Sequence, residues 1–268
     1  MVEPLDEASA PSLTMPALRA TAVVGIGSVV TLGLSVVTMK VYALLIGPNG
    51  VGLLALMQAV VNIAVIVTSF GVATSVIGAL AAALGTGDRP LVAAIERAAM
   101  RLGLIGGMAG AAVLVLVREP LAELALGSRE RGLEVILLAA AMIFTLAAVI
   151  QIGLLIGHHR IREVTAIGVG AGIAAMLLGI LLVSTFGLAG LAPALLVTAV
   201  VQFGLARLAA ARRSSGNRPP TLTGLVPVTR NLLRLGVPVA GSQLATAGAA
   251  FLVPLIVLQS VGQAEVGL

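Results

Sequence analysis

Long uncharged apolar runs alternate with short turns that hold most of the charge in this chain. A helix crosses the hydrocarbon core of a bilayer with about 20 apolar residues. Seven runs mark helices of that order, at about 20–46, 51–84, 102–117, 133–156, 164–186, 188–209 and 237–261. The third is short as a run, and its helix is predicted to start earlier, near Pro90, while Gly71 predicts a bend in the second. Open sheet edges have no partner in lipid, and these runs exceed a barrel strand, so the pattern predicts an all-α polytopic membrane protein.

The turn Gly47-Pro48-Asn49-Gly50-Val51-Gly52-Leu53 separates the first two runs, and Gly262-Gln263-Ala264-Glu265-Val266-Gly267-Leu268 repeats its G-x-x-x-V-G-L pattern. The copies lie 215 positions apart, as do Arg19 and Arg234, each just before a long apolar run. A fixed offset of that size marks duplicated lobes. The expected organisation is a cytosolic segment at 1–19, a six-helix lobe at 20–210 and a cytosolic linker at 211–233. The first helix of a truncated second lobe follows at 234–268. Six spans between the copies, an even number, give both lobes the same orientation. The natural protein is then expected to be about twice one lobe.

Loop charges orient the bundle. With the N-terminus inside, Arg19, Arg89, Arg97, Arg101, Arg160, Arg162, Arg207, Arg212, Arg213, Arg218, Arg230 and Arg234 fall on the cytosolic side. Only Arg118, Arg129 and Arg131 fall outside, among Glu119, Glu123, Glu130 and Glu134. Twelve against three is the asymmetry of a protein with its positive loops inside. The segment before the first span holds Glu3, Asp6 and Glu7 with three prolines, the wrong charge and order for a signal peptide.

Composition agrees. The chain is 59% apolar and 10% charged, with a mean hydropathy of +1.14, whereas a soluble domain carries about 25% charged residues. A net charge of +5 accompanied by one Tyr, five Phe and no Trp gives no stacking surface for bases, so nucleic acid is not an expected partner. The absence of Cys removes disulfides, thiolate metal sites and thiol nucleophiles.

The candidate chemistry lies on helix faces. Thr21, Gly25, Ser28, Thr31, Ser35, Thr38 and Tyr42 form one stripe of the first helix, and Gln58, Asn62 and Ser69 one face of the second. Gln151 and Gln243 lie inside the fourth and seventh helices, and Thr198 and Gln202 stand at i,i+4 on the sixth. These faces either line a polar cavity or bond neighbouring helices and their own backbone. Lys40 is the one formal charge well inside a span, either functional or snorkelling to the interface. It sits almost opposite the polar stripe of its own helix. Arg97 and Arg101, at i,i+4 near the cytosolic end of the third helix, suit an anionic headgroup or serve as positive-inside anchors. His158 and His159 lack a carboxylate cluster nearby, which argues against a metal site. Gly168, Gly172, Ala175 and Gly179 make a small-residue packing seam, and Gly168-Val169-Gly170-Ala171-Gly172 has no preceding strand to make it a dinucleotide loop. No P-loop, catalytic triad or acidic pair is visible, so no enzymatic activity is expected.

At Lys40-Val41-Tyr42-Ala43-Leu44-Leu45-Ile46-Gly47-Pro48-Asn49-Gly50-Val51-Gly52 the chain resembles the Wzx-type polysaccharide-biosynthesis flippases. These belong to the multidrug/oligosaccharidyl-lipid/polysaccharide (MOP) exporter superfamily. Ser69-Phe70-Gly71, Gly85-Thr86-Gly87-Asp88, Gly157-His158-His159-Arg160-Ile161, Phe186-Gly187-Leu188-Ala189-Gly190 and Arg234-Leu235-Gly236-Val237-Pro238 add to the resemblance. It implies an inner-membrane transporter with the MATE/MOP plan of two six-helix lobes. The implied cargo is an O-antigen or exopolysaccharide unit linked to polyprenyl pyrophosphate. Movement to the outer leaflet would draw on an H+ or Na+ gradient, without a bound cofactor. Its implied partners are membrane lipids and the glycan polymerase machinery. On this reading Arg97 and Arg101 attract the pyrophosphate, while Gln58, Asn62, Gln151, Gln202 and Lys40 contact sugar or gate. Export of drugs or of lipid II by the same superfamily is the alternative within transport, and a non-transporting half-protein acting as a membrane scaffold is the alternative outside it.

Overall fold

The computed structural model describes residues 15–126, 131–211 and 225–261 of the chain, and among these every regular element is a helix. They are α1 (Met15–Ser69), α2 (Val72–Gly85), α3 (Arg89–Leu116), α4 (Arg118–Leu126), α5 (Gly132–Gly157), α6 (Ile161–Phe186), α7 (Leu191–Ala211) and α8 (Leu225–Val261). A short 3-10 turn, Gly187–Gly190, joins α6 to α7.

Two apolar stretches are too long for one crossing. Val24–Ser69 runs 46 residues and Ile161–Ala211 runs 51, each about twice what a bilayer requires. Glycine divides both. Gly47 takes φ 69 and ψ 178, a backbone region essentially reserved for glycine, and Pro48 follows it. Gly187 takes φ 58 at the other division. α1 therefore has two arms, and with α3, α5, α6, α7 and α8 these make the seven long helical segments expected. The bend predicted at Gly71 is also present, between the end of α1 and the start of α2.

One helix start follows the sequence reading and two elements depart from it, each for a local cause. α3 begins at Arg89 because Asp88 caps it, accepting from the Leu91 N–H at 3.0 Å, with Pro90 in the first turn. α4 lies between the apolar runs, and its Ala122 is fully buried against the bundle although Glu119 and Glu123 keep its hydropathy low. α8 starts at Leu225 rather than near 237, since Arg230 and Arg234 interrupt an apolar run without interrupting a helix. The second copy of the glycine turn, 262–268, lies outside the described residues.

Small residues set the packing, and its register checks the topology. On α3 and α5, Gly103 faces Ile150, Gly107 faces Leu146 and Gly110 faces Met142. One helix rises as the other falls, as successive crossings must. On the first arm of α1 and α6, Gly27 faces Thr165, Leu34 faces Gly172 and Tyr42 faces Gly179, so crossings one and five run in parallel. The small-residue seam expected on α6 thus receives α1 at Gly172 and Gly179, while Gly168 meets nothing within 4 Å. In a membrane such notches bring backbones close and let dispersion hold helices together. The outward surface is apolar, with Leu44, Leu104, Met108, Leu116 and Leu177 among its exposed side chains, as suits a lipid solvent.

Candidate functional site

The hydroxyl stripe of the first arm turns inward on itself. Ser28, Thr31, Ser35 and Thr38 each donate to the carbonyl four residues back, at 2.7–2.9 Å. Thr198 does the same to Ala194 at 2.8 Å. These hydroxyls therefore satisfy their own helices.

The amides behave differently. Gln58 and Asn62 stand exposed at i,i+4 on the second arm of α1, with no hydrogen-bond partner among the described residues. Ser69, further along that face, is buried and donates to the Ile66 carbonyl at 3.0 Å. Two amides facing hydrocarbon would each forgo bonds at a cost of at least about 1 kcal/mol. Their face is suited to water, a polar ligand or a further polar protein surface. Lys40 is exposed on the first arm, on the side away from Leu34 and Tyr42 and hence away from α6. It lies seven positions before Gly47, which places it about 10 Å from the turn.

Arg97 is half-buried and Arg101 exposed on α3, near the end that carries most arginines. Gln243 is exposed on α8, and its Nε2 donates to Thr74 Oγ1 on α2 at 3.4 Å. Gln151 is 1% exposed within α5, and Gln202 is half-buried on α7. The candidate residues thus divide into three sets: Lys40, Gln58 and Asn62 on the open flanks of α1, the arginines at one end of α3, and the glutamines of α5 and α7 inside the lobe.

One polar pair escaped the sequence reading. His158 Nε2 donates to Glu96 Oε1 at 2.7 Å, joining α3 to the turn between α5 and α6. His159 beside it adopts φ 58, and Arg160 pairs with Glu163 one turn on. Glu96 and His158 lie 62 residues apart, so no periodicity links them; the visible signal was a lone carboxylate next to Arg97 in a mostly apolar helix. Among the described residues no group of three or more His, Cys, Asp and Glu could hold a metal.

A second feature is a backbone contact. Gly71 and Gly236 meet so closely that a Cβ on Gly236 would stand 2.9 Å from the Gly71 carbonyl carbon. Leu232, one turn earlier on α8, is fully buried in the main core.

A family model described as polysaccharide biosynthesis protein matches residues 17–267. No curated protein matches the chain. Among solved structures, an inward-facing multidrug resistance MATE family transporter of the MOP superfamily superposes with a TM-score of 0.73 at 19% identity, over 89% of this chain and 59% of that one. A MATE in the straight conformation gives 0.73 at 22%, over 93% and 57%. A MOP superfamily transporter from Pyrococcus furiosus, whose reversed binding-pocket polarity suggests a different function for it, gives 0.72 at 20%, over 91% and 57%. At these identities the likeness establishes the fold: a MATE-like six-helix lobe followed by the first helix of a second. The chain spans less than two thirds of each of these transporters.

Proposed function

We propose a function from one premise: the chain belongs to the polysaccharide biosynthesis protein family, and it is a multi-pass membrane protein with a transporter fold. The proposed activity is translocation of a polyprenyl-pyrophosphate-linked oligosaccharide across the inner membrane by alternating access, driven by an H+ or Na+ gradient. Twelve arginines against three support an orientation with the N-terminus in the cytosol. Arg97 and Arg101 would then meet the cargo's pyrophosphate at the cytosolic mouth, where a guanidinium binds phosphate oxygens in pairs. Lys40 would stand near the opposite mouth. A polymerase that consumes the translocated unit is the expected protein partner.

The observation that carries this reading is the exposed amide pair Gln58 and Asn62, without a hydrogen-bond partner among the described residues. A glycan presents hydroxyls that donate and accept, and an amide does both. Replacing both by Leu in the full-length protein should slow transfer of a lipid-linked oligosaccharide across proteoliposomes by about tenfold or more, from two lost hydrogen bonds. The melting temperature should stay near wild type, because both side chains are exposed and give no hydrogen bond to another described residue. Wild-type transfer by the double variant would remove the pair from the path. The multidrug transporters of like fold favour one alternative, drug export; it predicts drug sensitivity on gene deletion with lipid-linked glycan distributed normally.

A further inference from the structure

Among the described residues two non-glycines have positive φ. His159, at φ 58, sits in the turn between α5 and α6, whereas Phe70, at φ 46, sits near the middle of the second apolar run, next to Gly71 at φ 67. A bulky residue in the left-handed region is strained, and such strain persists only where the surroundings enforce it. Nothing covalent enforces it here. No proline lies between Pro48 and Pro90, so a continuous helix through 70–71 is open to this sequence. Nor does Phe70 gain by burial, since it is 51% exposed.

What holds the joint is polar and replaceable. Ser69 Oγ donates to the Ile66 carbonyl at 3.0 Å, the acceptor that the Phe70 N–H would use in a continuous helix, and accepts from the Gly71 N–H at 3.4 Å. The Phe70 N–H turns instead to the Val67 carbonyl at 3.4 Å. Around these residues three other helices present glycine to the backbone. Gly106 of α3 meets the Thr68 carbonyl, Gly236 of α8 meets the Phe70 carbonyl, and a Cβ at Gly153 of α5 would stand 2.7 Å from the Ala73 oxygen. A glycine against a carbonyl has no side chain to lift out of a socket, so such a contact can slide. We propose that Phe70–Gly71 is a pivot with two settings, the bent one of this structure and a straight one with Phe70 helical, and that α8, seated on it at Gly236, moves with it. The pivot rests on the transporter fold and not on the identity of the cargo.

The test is a pulsed electron–electron distance measurement on the full-length protein in nanodiscs, without cargo. Spin labels occupy its only two cysteines, introduced at the exposed positions Ala55 and Ala82. A second pair, at Ala82 and the exposed Ala245, reads the place of α8. Phe70→Gly removes the cost of left-handed φ and weakens the straight helix, so it should raise the ratio of the shorter to the longer 55–82 distance about tenfold. Phe70→Val, costlier still in the left-handed region, should move that ratio the other way. The 82–245 distances should shift in step in both variants. One 55–82 distribution shared by wild type and both variants would make the joint a fixed kink, and a shifting joint beside an unmoved α8 would break the coupling; either result overturns the proposal.

Discussion

Gly106→Leu is expected to abolish folded protein. Gly106 lies on α3 directly under the Thr68 carbonyl at the end of α1, so even a single Cβ would press on a backbone oxygen. One turn on, a Cβ at Gly110 would stand 2.9 Å from Met142 Cε and 3.2 Å from Thr68 Cβ, which leaves no free space on that side. A backbone oxygen cannot rotate away as a side-chain end can, so leucine must push α3 off α1 or fail to seat. The cost should exceed about 4 kcal/mol, the range reached only by severe core disruption. Gel filtration in detergent should show aggregate in place of the wild-type peak. Gly78→Ala is the control: Gly78 meets nothing within 4 Å, and alanine there should be neutral or stabilise α2 by roughly 0.5–1 kcal/mol. A Gly106→Leu protein that elutes and melts like wild type would show that α3 does not approach α1 as described.

Gly71→Val should release α8 from the lobe. Gly71 has φ 67, where a side chain costs about 1–2 kcal/mol before any contact is considered. Its Cβ would also meet the Gly236 carbonyl, and the two penalties together should reach about 3 kcal/mol or more. The clash falls where α8 seats: Leu232 on one side is fully buried, and the Gln243–Thr74 bond lies on the other. Hydrogen exchange should therefore quicken at amides of α8 around Gly236 while those of α3 and α5 stay protected. Gly236→Ala should do the same to a lesser degree, since it brings the contact without the left-handed strain. Unchanged protection of α8 in Gly71→Val would contradict the close backbone approach.

Much of this fold was legible because a bilayer has a fixed thickness. Apolar length alone gave seven long helices, and glycine marked the places where the chain turns or bends, at Gly47, Gly71 and Gly187. Hydropathy misjudged the elements that carry charge without leaving the helix, α4 with Glu119 and Glu123 and the start of α8 with Arg230 and Arg234. The glycines of α3 were visible in the sequence, but a glycine notch takes its meaning from what fills it, and Ile150, Leu146 and Met142 lie 32 or more positions away.

The candidate site was legible as faces and not as neighbours. The i,i+4 rule put Gln58 with Asn62 and Arg97 with Arg101. It gave no means of joining Glu96 to His158, because that relation comes from how helices pack. The same rule treated hydroxyls and amides alike, yet the structure separates them: a short hydroxyl reaches its own carbonyl at i−4, whereas Gln58, Asn62, Gln151 and Gln202 do not bond their own helices.

The measurement that bears most directly on the proposed function is the leaflet in which lipid-linked oligosaccharide resides when the gene is deleted. Membrane vesicles of known orientation, probed with an enzyme or lectin that cannot cross the bilayer, report it. A transporter of this cargo predicts accumulation in the cytosolic leaflet, restored to the outer leaflet by the full-length wild-type gene. An unchanged distribution between leaflets in the deletion strain would contradict the account.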